Sequence, residues 1–148
     1  MKIILVSSDY VMPSRGIYAI QNNLLRHGWE CLAFSYFYLT KEKIKTFCEN
    51  YINEGDVLGL STTFTSEPHS IEVYRNLSIA ARAMGAKIIL GGINQQKDSF
   101  IYDYDLTGSY KEDALIDFLN SKYGKIKKTF YSISNDSCLL YTSDAADE

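Results

Sequence analysis

Three hydroxyl-bearing residues, Ser61-Thr62-Thr63, end the apolar run Val57-Leu58-Gly59-Leu60, and two glycines, Gly91-Gly92, end the run Lys87-Ile88-Ile89-Leu90. Asp9 closely follows a third apolar run at the start of the chain, and Gly108 follows a fourth short segment, Tyr104–Thr107. Hydroxyls at such points can pair with a ligand's buried acceptor, which is costly to leave unsatisfied. Glycines let the backbone approach a ligand more closely than a Cβ would allow. These types suit binding more than bond-making, and no catalytic residue and no metal ligand is assigned from them.

Other chemistries are absent from the pattern. A phosphorelay receiver needs an Asp where Ser61 ends its run, and the dinucleotide fingerprint G-x-G-x-x-G is missing after the first apolar run, where only Gly16 follows. There is no P-loop, no nucleophile elbow and no His/Cys cluster at metal-ligand spacing. His27 directly precedes Gly28, a helix stop, which places it at the far edge from the hydroxyls, in a structural role. His69 opens a helix on the same edge as the hydroxyls, where a solvated first-turn residue is the plainer reading.

The elements that hold these residues can be read from period and punctuation. Apolar runs at Lys2–Ser8, Cys31–Phe37, Asp56–Ser61 and Lys87–Leu90 predict strands, with a short fifth at Tyr104–Thr107. Ile17, Ile20, Leu24 and Leu25 recur at helical spacing up to His27. Thr40 caps a second helix reaching about Ile52, a third runs from about Pro68 to Met84, and a last one covers Glu112–Leu119. Alternating strands and helices, with strands apolar on both faces, predict a parallel α/β sheet covered on two sides. Five strands suit a flavodoxin-like or Rossmann-like three-layer sandwich in the order 2-1-3-4-5, which binds ligands beyond the strand carboxyl ends between the first and third strands. The hydroxyl run lies at that switch point.

The chain has 148 residues, 46% hydrophobic and 22% charged, with a net charge of −3; this is a soluble globular composition with no basic patch for nucleic acid and no membrane span. Cys31 and Cys48 sit in apolar patterns as small buried hydrophobes, which suits a reducing, cytoplasmic location. The last eleven residues, Cys138–Glu148, resemble the translation of a transposase adapter used in sequencing libraries. Setting them aside leaves 15 acidic against 15 basic residues. The expected organisation is a domain over 1–123, a linker over 124–137 toward a missing C-terminal domain, and an artefactual tail over 138–148.

Taken together, "DVLGLSTTF", "GAKIILGGI" and "DLTGSYKEDALIDFL" resemble the cobalamin-binding domain at the N-terminus of cobalamin-dependent radical SAM proteins, over about Lys2 to Tyr123. More distantly they resemble that of methionine synthase and the mutases. The resemblance implies that the cofactor's nucleotide tail inserts between strands one and three, with Ser61 donating to its benzimidazole nitrogen and Gly91 and Gly92 lying against it. It implies a cofactor-binding set of Asp9, Ser61, Thr62, Thr63, Gly91, Gly92 and Gly108. Val11 stands where the family's cobalt-ligating His would be, Ser-Thr-Thr replaces Ser-x-Leu, and Gly108-Ser109-Tyr110-Lys111 keeps only the first Gly of the family's turn. S-adenosylmethionine and a [4Fe-4S] cluster would belong to a radical SAM domain in cis, lost by truncation, so the fragment itself would be inactive. The alternative is a Rossmann-like N-terminal domain of a glycosyltransferase or other nucleotide-binding enzyme, or a cofactor-free scaffold.

Overall fold

The computed structural model describes residues 1–7, 15–35, 40–62, 68–92, 101–108 and 113–124. Strand β1 (Ile3–Ser7) is buried at every position, the mark of a central strand covered on both faces. It is flanked by β2 (Cys31–Ser35) and β3 (Val57–Ser61), and β4 (Lys87–Gly91) and the two-residue β5 (Tyr104–Asp105) follow. All pairs are parallel and the order is β2-β1-β3-β4-β5, as the alternation of elements predicts. Four helices are described, α1 (Arg15–Arg26), α2 (Lys41–Tyr51), α3 (Pro68–Ala83) and α4 (Ala114–Tyr123), giving a Rossmann-like, flavodoxin-like three-layer sandwich.

Strand alternation sorts the core into two halves. Ile4, Val6, Leu58, Leu60, Ile88 and Leu90 pack beneath α2 and α3. Ile3, Leu5, Val57 and Ile89 pack on the other side with Ile17 and Leu24 of α1 and Ile116 and Leu119 of α4. On that second face Gly59 stands in register between Leu5 and Ile89, and a Cβ there would meet Leu5 Cδ2 at 2.8 Å. The missing side chain is filled by Leu5.

Thr40 caps α2 as its position predicts, accepting from the Lys43 amide at 3.4 Å. Helix α1 departs from the expected apolar stripe. Ile17 and Leu24 are buried, but Ile20 and Leu25 remain 42% and 44% exposed. Between the buried pair, Gln21 donates its side-chain amide to the Cys31 carbonyl on edge strand β2 at 3.0 Å, so a polar contact takes part of the inward face. The fifth strand is shorter than Tyr104–Thr107, because Asp105 turns the chain by accepting from the Thr107 amide at 2.8 Å.

The amino edge is fastened by one carboxylate. Asp56 accepts from the Lys2 amide at 3.0 Å, the Lys2 ammonium at 2.6 Å and the Asn53 amide at 2.8 Å. Burial works to raise its pKa, but the hydrogen bonds and charge from Lys2, with the Asn53 amide, outweigh that and hold it below the ordinary carboxylate value. Cys31 and Cys48 are free and buried, as their apolar settings predict. Burial pushes Cys31 up to about 12; burial, then the Glu49 charge, pushes Cys48 up to about 11. Among the described residues no helix is long and apolar enough to cross a membrane. The linker and tail expected beyond residue 124 lie outside the described residues.

Candidate functional site

At the carboxyl edge the sheet ends in one register row. Ser35 pairs with Ser7, Ser7 with Ser61, and Ser61 with Gly91. Apolar strands that all stop at the same level, three on serine and one on glycine, place a small polar rim where an open α/β sheet takes its ligand. Ser7 has the same parity as Ile3 and Leu5, and Ser61 the same as Val57, so both side chains lie on the α1/α4 side of the rim. Ser7 is 1% exposed and Ser61 is half-buried, so Ser61 is the more accessible of the two.

The residue after Ser61 has a different task. Thr62 is fully buried, and both its amide (2.9 Å) and its hydroxyl (3.0 Å) donate to the Gly91 carbonyl. It ties the end of β3 to the end of β4. On the other side of β3 the fully buried Tyr74 of α3 sends its hydroxyl to the Ser61 carbonyl at 2.6 Å, with the Val6 carbonyl at 3.3 Å. Tyr74 shows in the sequence only as one apolar position of the third helix; nothing in its spacing signals the tertiary hydrogen bond.

The glycines also divide by role. A Cβ at Gly91 would meet nothing within 4 Å, so open space lies before it. Gly92 has φ +92° and Gly108 φ +80°, conformations that favour glycine whatever binds there. The two turns join through the Gly108 amide, which donates to the Gly92 carbonyl at 2.9 Å. Asp9, Val11 and Thr63 lie outside the described residues. His69 falls in the first turn of α3, on the rim edge. His27 lies at the opposite edge, its Nδ1 2.8 Å from the Asn23 carbonyl, in the structural role its position predicts.

No protein-family model and no curated protein sequence matches the chain. Its fold is similar to that of a Listeria monocytogenes protein provisionally assigned as a sugar-phosphate isomerase. The TM-score is 0.53 at 11% identity, over 90% of this chain and 75% of the other. A Bacillus subtilis protein provisionally assigned as a phosphosugar isomerase aligns with TM-score 0.43 at 14% identity, over 93% of this chain and 39% of the other; a likeness that low carries no argument.

These comparisons correct the expected family. The Listeria protein whose fold this chain shares is a sugar-phosphate isomerase assignment, not a cobalamin-binding domain, and no family model or curated sequence backs the expected family, so the resemblance to cobalamin-dependent radical SAM proteins and the function drawn from it do not stand. Metal-binding and iron–sulfur character go with it: among the described residues no group of three or more His, Cys, Asp or Glu side chains could hold a metal ion. The physical reason lies in the motif itself. A hydroxyl residue after the third strand and a Gly-Gly after the fourth are things this sheet uses for its own closure. Thr62 bonds Gly91, and Gly92 adopts a left-handed turn. Fold-closing residues had the appearance of a cofactor signature.

Proposed function

We propose that this domain binds a small phosphorylated ligand, a sugar phosphate or the sugar-phosphate portion of a nucleotide, over the carboxyl ends of β1 and β3. The observation that carries the reading is the rim row itself. The half-buried Ser61 stands at the switch point beside the buried Ser7 of the adjacent strand, and next to a glycine with open space before it. Serine hydroxyls can donate to phosphate or sugar oxygens and accept from sugar hydroxyls, and helices that begin at this edge aim backbone N–H groups the same way. The provisional assignment of the Listeria protein with this fold suggests the ligand class to try first. The buried free thiols support a reducing compartment, the cytoplasm, as the place of action.

Isothermal titration of the full chain with ribose 5-phosphate, glucose 6-phosphate and a uridine diphosphate sugar tests the reading. Saturable binding by at least one of them is expected, weakened about tenfold in Ser61→Ala through the loss of one hydrogen bond. If none binds at millimolar concentration, the reading fails. A domain that binds no ligand and serves only to orient a neighbour is then the better account.

A further inference from the structure

We infer that Tyr74 is the positioning residue of this rim: its hydroxyl fixes the peptide that joins Ser61 to Thr62, and so sets the direction in which Ser61 is presented. The side chain comes from α3, on the opposite face of the sheet from the Ser7 and Ser61 side chains. It crosses the core to reach two carbonyls, one on each of the strands that flank the switch point. A phenolic hydroxyl has a single proton to give. At 2.6 Å against 3.3 Å, that proton goes to Ser61, with Val6 the longer second contact.

Two features argue for more than a buried tyrosine finding a partner. The Ser61–Thr62 peptide is held from both sides, by Tyr74 at the Ser61 carbonyl and by Gly91 at the Thr62 amide and hydroxyl. A peptide plane fixed at both its oxygen and its nitrogen cannot rotate, so the half-buried Ser61 side chain is aimed as well. The tyrosine ring itself is fully buried in the core beneath α3, which limits the directions its hydroxyl can take. Pre-ordering of this kind lowers the entropic cost of binding.

The test uses the full chain and Tyr74→Phe, which keeps the ring and removes the hydroxyl. Amide hydrogen exchange followed by NMR should show Thr62, just past the end of β3, opening about tenfold faster relative to Leu58, which lies inside β3. Equal acceleration at both amides, or none, would overturn the inference, because a merely stabilising tyrosine loosens the strand as a whole. The binding consequence rests on the proposed function. A sugar phosphate that binds the wild type should bind Tyr74→Phe more weakly, and equal affinity in the two proteins counts against the positioning role. If the wild type binds no probe, the proposed function fails while the exchange result still decides Tyr74. Should Tyr74→Phe not fold, the hydroxyl proton is sought in the wild type. A slowly exchanging resonance with a nuclear Overhauser contact to the Thr62 amide supports the inference, and a freely exchanging hydroxyl overturns it.

Discussion

Asp56 shows how much one side chain can do at the edge opposite the rim. It receives two groups of Lys2 and one of Asn53, and its pKa is held low against its own burial. A carboxylate depressed in the fold adds stability that is present above its unfolded pKa, about 3.9, and is lost as pH falls through the lower folded value. Asp56→Asn is therefore expected to cost about 1–3 kcal/mol at pH 7. Urea unfolding of both proteins should show that deficit narrowing as pH drops below about 4. A deficit that stays constant down to pH 2 would assign the loss to packing and not to charge. In the sequence Asp56 is legible only as the residue opening a strand; its partner Lys2 lies 54 positions away.

At the level of the strand, the glycines offer a contrast that separates packing from open space. Gly59→Ala places a methyl against Leu5 Cδ2 in the middle of the sheet and is expected to cost about 1–3 kcal/mol in thermal or urea unfolding. Gly91→Ala meets nothing and should leave stability within about 0.5 kcal/mol, while narrowing the space beside Ser61. Wild-type stability in Gly59→Ala would show that Leu5 yields freely. The elements themselves were readable in the chain: the Thr40 cap, the glycine stop after α1 and the apolar strands all stand where period and punctuation predict. What could not be read was which apolar positions face inward on α1, since Gln21 displaces part of the stripe through a contact with another element. The rim was legible as a place, because topology fixes the switch point. Its division of labour was not, because Thr62 and Ser61 differ only in the tertiary bonds they make.

Over the whole molecule, the buried core positions among the described residues run from Ile3 to Leu119, with Tyr123 packed against the second half, and α4 closes at Gly124 in a left-handed cap whose amide donates to the Asn120 carbonyl. A chain ending at Gly124 is accordingly expected to unfold in a single cooperative transition with a midpoint within a few degrees of the full chain. Calorimetry decides this, and a broad transition or a large drop would place core residues further along. The order of the strands has one more effect, felt before the fold exists. β1 is an interior strand, yet its neighbour β3 is 54 residues behind it, the separation between Ser7 and Ser61. At a synthesis rate of about 5–20 residues per second, the most apolar strand of the molecule waits roughly 3–11 seconds for that neighbour to leave the ribosome. During that interval Ile3 to Val6 lack one of their two sheet neighbours, so the emerging chain keeps its most apolar strand incompletely covered until β3 follows.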